Sequence, residues 1–254
     1  MNNFFVILEF EIRAFLNSIG SVLGQLIVEP LVYLAFFAAG IQSWQPFIQV
    51  DHQNIKYLTF AFPGILSVQI IRSFARTVYR ITVDRRWGIQ AIKMMAGTNV
   101  VTYVLGMTAL PIGIFISQAL VATPVALLLG ADFHISNLLL ALSFGATAAL
   151  FWNCLAILIT IGIKNYTQRD LIINLSVFPI MFAAPVFYPF DSVPFYLRAI
   201  GSINPLTYQI TVMRDILLGK GLMHSYWIPL SLTLIIFLTT VLCLSKAELL
   251  STEH

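Results

Sequence analysis

The sequence predicts an all-α membrane protein with six transmembrane helices. Three observations carry this. Of 254 residues, 59% are hydrophobic and only 10% charged, against about 25% charged in a soluble domain. The mean hydropathy is +0.88. Six long apolar runs alternate with polar, turn-rich breaks, and a run of about 20 apolar residues matches the hydrocarbon thickness of a bilayer. No internal repeat or low-complexity tract divides the chain, so residues 1–254 read as a single membrane domain.

The elements follow in order. Residues 2–17 predict a helix lying in the membrane interface. Phe4, Phe5, Leu8, Ile12, Phe15 and Leu16 fall on one side, and Asn2, Glu9, Arg13 and Asn17 on another; Phe10 and Glu11 break the pattern. With acids and no basic leader, this start does not read as a cleavable signal peptide. The first span is expected at about 18–42 and contains Glu29-Pro30. Residues 43–56 read as a polar loop. A second span covers about 57–80, with Pro63-Gly64 early in it, and residues 81–99 are too charged to cross. A third span covers about 100–129 and a fourth about 138–162, separated by a turn holding Asp132 and His134. After the charged break KNYTQRD comes a fifth span, about 171–188, with Asn174, Pro179 and Pro185. A mixed segment, 189–225, precedes the last span at about 226–245.

Lys and Arg counts orient the chain, because cytoplasmic loops carry the excess. With the N-terminus inside, one side holds Arg13, Arg72, Arg76, Arg80, Arg85, Arg86, Lys93, Lys164, Arg169 and Lys246. The other holds Lys56, Arg198, Arg214 and Lys220. Ten against four places both termini in the cytoplasm.

Several groups carry candidate chemistry. After the second span come Asp84, Arg85, Arg86 and Trp87, then a helical stretch with Ile89, Gln90, Ile92 and Lys93. Ile89, Ile92, Met95 and Ala96 give it an apolar stripe. A short amphipathic helix between two spans lies on the membrane or docks into a partner. Arg72, Arg76 and Arg80 recur every four residues, and unpaired arginines do not sit in hydrocarbon. They either snorkel to phosphate headgroups or hold an anionic group such as a lipid phosphate or lipid-linked glycan. Glu29 is the acid well inside an apolar run. It reads either as a functional group or as a packing carboxylate paired with Gln69 or Asn174. In 189–225, Phe195, Leu197, Ile200 and Ile203 suit one short helix, and Pro205 starts a second with Tyr208, Met213, Ile216 and Leu217. This reads as a hairpin dipping into the outer leaflet, where irregular backbone requires shielding by protein.

Other chemistries lack their motifs. There is no phosphate-binding G-x-x-x-x-G-K-[ST] loop, no H-E-x-x-H and no G-x-S-x-G. Cys154 and Cys243 read as packed thiols. His52, His134 and His224 read as outer-side loop residues, not metal ligands. No catalytic activity of its own, no bound metal or cofactor and no nucleic-acid partner are expected.

The segments VEPLVYLAFFAAG (28–40), YLTFAFPGIL (57–66) and FPIMFAAPVFYPFDSVPFYLRAIGSINPLTYQITVMRDILLG (178–219) resemble the membrane subunits of type-two ATP-binding-cassette exporters. The likeness is greatest to nodulation-factor, polysaccharide and daunorubicin-resistance permeases. It implies ATP-driven export of a drug, lipid or lipid-linked glycan; the other reading of the chain is an ATP-independent channel or carrier. It implies two ATPase subunits holding ATP and Mg2+, a second permease copy or homologue, surrounding lipid, and a place in the inner (plasma) membrane. By the same resemblance, Asp84 to Met95 dock into the ATPase, and residues 190–220 are the re-entrant helices, with Phe195, Asn204, Pro205, Tyr208 and Arg214. The first, second and fifth spans line the path, with Glu29, Tyr33, Gln69 and Asn174 as lining residues. Thr98-Asn99 stands where the family usually has Thr-Pro.

Overall fold

The computed structural model describes residues 3–17, 20, 23–50, 53–220 and 226–247. Asn2, His52 and His224 lie outside them. In chain order the elements are α1 (Asn3–Leu16), α2 (residues 24–44), a hairpin of β1 (Phe47–Val50) and β2 (Gln53–Lys56), α3 (Tyr57–Arg86), α4 (Ile89–Met95), α5 (Val100–Leu128), α6 (Ile135–Thr160), α7 (Tyr166–Ala183), α8 (Phe195–Ile203), α9 (Pro205–Leu217) and α10 (Trp227–Lys246). α2 is wound unevenly, with π-helical turns at Gly24–Val28 and Tyr33–Ala38 on either side of Pro30.

Among the described residues, five helices are long and apolar enough to cross a membrane: Leu26–Trp44 of α2, then α3, α5, α6 and α10. The chain is therefore an all-α, multi-pass membrane protein. The fifth expected span, 171–188, is displaced. α7 begins earlier because Asn165 caps it, accepting from the Gln168 amide at 2.8 Å. It ends at Ala183, since Ala184 is extended before Pro185, and a residue preceding proline disfavours the helical region. Its first turn, YTQRD, is polar, so only residues 171–183 are apolar. The 43–56 loop is also corrected. It forms an antiparallel hairpin pairing Phe47 with Lys56 and Val50 with Gln53.

α3 is the most buried span. At 30 residues it is about 45 Å long, longer than the about 30 Å hydrocarbon core, and it runs six residues past the expected end at 80. Tyr57 through Ile71 are all enclosed by neighbouring helices. Asn153 of α6 accepts from Ser73 and Thr77 of α3, and Trp152 Nε1 donates to Gln209 Oε1 of α9 at 2.7 Å. Such bonds join helices where lipid supplies no hydrophobic drive. Gly64 lets the 184–187 turn touch α3: a Cβ there would sit 2.2 Å from the Val186 carbonyl oxygen.

Contacts separate two ends. At one, Gln42 donates to the Leu129 carbonyl (3.1 Å), Thr59 accepts from the Asp132 amide (2.8 Å), and Lys56 lies 3.8 Å from Asp132. The exposed Trp44 sits at this end, and Trp227 opens α10 there, in keeping with an interfacial aromatic belt. At the other, the Arg86 guanidinium lies 4.4 Å from the Tyr166 ring and that of Arg169 lies 4.1 Å from Tyr79. α1 packs there against α5, burying Ile7 and Glu11. A Cβ on Gly106 would meet Ile7 Cγ2 at 2.8 Å. Glu11, which broke the amphipathic pattern of α1, is thus one of its buried contacts.

Gly64→Ala is expected to lower stability by about 1–3 kcal/mol, the usual cost of overpacking, read as a lower Tm of the purified protein. Gly113→Ala, with open space around it, is expected to leave Tm unchanged or slightly raised.

Candidate functional site

The end of α3 leads into α4 through one tight turn. Gly88 has φ +68°, in the left-handed region that favours glycine, so the chain reverses there. The reversal turns the polar side of α4 inward. Lys93 Nζ lies 3.1 Å from Asp84 Oδ2 and 3.0 Å from Glu11 Oε1, and all three side chains are nearly enclosed. Arg80 completes the group at 3.6 Å from Asp84 and 3.5 Å from Glu11. Gln90 is also buried.

The apolar residues face outward. Trp87 is 73% exposed, Ile92 61% and Met95 77%. The expected stripe of Ile89, Ile92, Met95 and Ala96 is present except at Ile89. Ile89 is half-buried, and together with Ile92 and Ala96 it lines a cleft of about 280 Å³ against Val6, Ile7 and Phe10 of α1. Of the charged residues expected on this loop, Asp84 is buried, Arg85 half-buried, and Arg86 stacks on Tyr166. Glu11 was not among the site residues read from sequence; its only sign was the break in the α1 pattern.

A second group lies deeper. Arg72 Nη1 lies 3.0 Å from Glu29 Oε1, and Arg76 Nη1 lies 3.8 Å from Glu29 Oε2. Arg72 Nη2 donates to Tyr33 Oη at 3.1 Å, with its guanidinium 5.6 Å from that ring. The partners expected for Glu29, Gln69 or Asn174, are replaced by arginines, which alone here can neutralise a carboxylate. Asn174 does line the same cleft, of about 350 Å³, with Ala75, Ile173, Val177 and Phe178. Gln69 does not: it is buried in the bundle, accepting from Gln118 at 3.4 Å. The arginine stripe is therefore divided, with Arg72 and Arg76 on Glu29 and Arg80 on Glu11 and Asp84. Arg76 and Arg80 also line a groove of about 220 Å³ between α1, α3 and α5.

At the opposite end, Arg214 is buried. Its Nε donates to the Phe60 carbonyl at 3.0 Å and its Nη2 to the Pro185 carbonyl at 2.7 Å, while its guanidinium lies 3.7 Å from the Phe60 ring. Asn204 donates to the Ile180 carbonyl at 2.7 Å and caps α9 by accepting from the Leu206 amide, with Pro205 at the first helical position. Tyr208 donates to the Ser202 carbonyl at 2.7 Å. Phe195 points outward, 86% exposed. Among the described residues no His, Cys, Asp or Glu group has the makings of a metal site.

Comparison with known proteins gives a consistent result. The family model for "ABC-2 type transporter" matches residues 2–218. The chain is 24% identical over 204 residues to a putative transport permease, ycf38, of Cyanophora paradoxa, covering 80% of this chain and 68% of that one. It is 28% identical over 215 residues to nodulation protein J of Rhizobium meliloti (strain 1021), covering 82% and 78%.

Lys93→Met leaves Asp84 and Glu11 enclosed with only Arg80 to neutralise them. Breaking a buried pair costs up to about 3–5 kcal/mol, so a clear fall in Tm is expected. Adding Asp84→Asn to that variant is expected to recover part of it. A Tm unchanged by Lys93→Met would show that the junction is not held by charge.

Proposed function

Because the chain belongs to the ABC-2 type transporter family, the membrane-spanning components of ATP-binding-cassette transporters, we propose that it is the permease of an exporter powered by a separate ATPase. The observation that carries this reading is the inverted polarity of α4. A short helix that spends its polar side on internal ion pairs and presents Trp87, Ile92 and Met95 to the outside is suited to an apolar groove on a partner. An ATP-independent channel has no use for such a face.

In this reading α4 is the coupling helix and its side is cytoplasmic, which the ten-to-four distribution of Lys and Arg supports. α7 serves as the fifth of six spans, and α8 and α9 form the outer re-entrant pair. Two permease copies work with two ATPase subunits, which hold ATP and Mg2+. Motion of the ATPases pushes on α4. The turn is only two residues, Trp87 and Gly88, and Lys93 ties α4 to Asp84 of α3 and Glu11 of α1, so displacement passes into the rigid α3. That helix carries Arg72 and Arg76, and so acts on the Glu29 cleft. Glu29, Tyr33 and Asn174 line the path, which moves a drug, lipid or lipid-linked glycan outward from the cytoplasm or inner leaflet.

Met95→Glu places a charge on the outward face, away from the cleft that α4 forms with α1. It is expected to abolish co-purification with the ATPase subunit, or to leave ATP turnover uncoupled from export, with Tm unchanged. Normal assembly and coupling in that variant would remove the docking role. Orientation is checked by labelling single cysteines in intact cells with an impermeant reagent, after replacing the exposed Cys243. Phe195→Cys is expected to react from outside and Ile92→Cys only after the membrane is opened. Reaction of both from outside would reject the six-span arrangement.

A further inference from the structure

The Glu29 cleft holds more positive charge than its own residues neutralise. Among the ion pairs of the described residues, the inner junction sets two bases, Arg80 and Lys93, against two acids, Glu11 and Asp84. The cleft sets two bases, Arg72 and Arg76, against Glu29 alone. One positive charge is left over, and the pairing that exists is incomplete. Arg76 and Glu29 are 3.8 Å apart, too far for a hydrogen bond. Glu29 Oε2 and Arg76 Nη2 are both enclosed without a hydrogen-bond partner.

Depth makes this charge costly. Counting about 1.5 Å per residue from Tyr57, Arg72 lies about 22 Å and Arg76 about 28 Å along α3, at the inner margin of an about 30 Å hydrocarbon core. Lipid phosphates lie just beyond that margin, and an unneutralised guanidinium inside it is unfavourable. The rest of the cleft wall is mostly apolar, from Ala75, Ile173, Val177 and Phe178, with the Asn174 amide beside it. Two guanidiniums, an amide and an alkyl-lined wall match one phosphate attached to an apolar chain, since guanidinium binds phosphate by paired hydrogen bonds.

We propose that the cleft formed by Glu29, Arg72, Arg76 and Asn174 binds the phosphate group of an amphiphile, and that Glu29 is a built-in competitor which the phosphate displaces. This rests on the path reading above and names the chemistry of what enters there. Glu29 keeps the arginines partly neutralised when the cleft is empty. It also keeps binding weak enough for release, because an arriving phosphate exchanges with a carboxylate already present.

The probe is dodecyl phosphate. Phe178 lines the cleft and is exposed, so Phe178→Cys with a polarity-sensitive fluorophore reports occupancy in the full chain, held in uncharged micelles with Cys243 replaced. A saturable emission change is expected with dodecyl phosphate, and none with equal inorganic phosphate or dodecyltrimethylammonium. Arg72→Gln and Arg76→Gln are each expected to weaken half-saturation by about tenfold or more, Arg76→Lys by less, and Glu29→Gln to tighten it severalfold. The lysine variant and the tightening guard against simple misfolding, which weakens every response. Weaker or unchanged binding in Glu29→Gln, or an equal response to the cationic amphiphile or to inorganic phosphate, overturns the proposal. ATP turnover of the assembled complex separates it from the path reading. Binding with the expected charge dependence but no effect of dodecyl phosphate on turnover assigns the site to a resident membrane phospholipid, upholding the inference and rejecting the path. Absence of binding, with Glu29→Gln still altering turnover, rejects the inference and leaves the path reading standing.

Discussion

One half of this protein is organised by the need to neutralise the basic face of α3. Arg72, Arg76 and Arg80 lie on one side of a helix that is otherwise apolar and enclosed, and charge in that setting requires a counter-charge. The counter-charges come from earlier in the chain, Glu29 from α2 and Glu11 from α1, while Asp84 comes from the end of α3 itself. Meeting this one requirement brings α1 and α2 onto α3. Lys93 joins the same network and brings α4 with them. Four elements are thus held together by a handful of ion pairs, with apolar packing of α1 on α5 behind them.

The opposite half meets a related need chiefly with main-chain carbonyls. Arg214 is buried, and its hydrogen bonds go to the main-chain carbonyls of Phe60 and Pro185. These carbonyls belong to α3 and to the turn after α7, so one guanidinium ties α9 to both. Gly64 lets that turn approach, and Tyr57 adds a bond to the Phe187 carbonyl at 2.9 Å. The proline-rich turn between α7 and α8 therefore has fixed partners on α3. The two ends of the molecule share α3, which runs unbroken from the turn after α7, past the Glu29 cleft, to the junction with α4.

The inverted polarity of α4 follows from the same constraint. Periodicity gives α4 an apolar face with Ile92 and Met95 and a polar face with Lys93, without deciding which of them meets the protein. The buried Asp84 and Glu11 decide it, because leaving two enclosed carboxylates to share Arg80 costs more than exposing two apolar side chains. The exposed face then remains for a partner. Ile89 shows the limit of the pattern, since α1 passes close enough to cover it.

Residue by residue, the sequence determined what can be computed from neighbours along the chain. The helices α3, α5, α6 and α10 are long and apolar enough to cross a bilayer, and that length is legible from their apolar runs. The Pro205 start of α9 and the short helix after Trp87 were likewise legible, as was the family likeness carried by 178–219. What only the tertiary structure decided was pairing across distance. Glu29 meets Arg72 and Glu11 meets Lys93, 82 positions away, and Gln69 turns into the bundle, away from Asn174. These depend on the rotation of each helix about its axis, which is set by contacts such as Ile7 on Gly106 and Asn153 on Thr77. Hydropathy reports which residues avoid water, but it does not say which buried charge will stand opposite which, and the candidate site is built from that second kind of information.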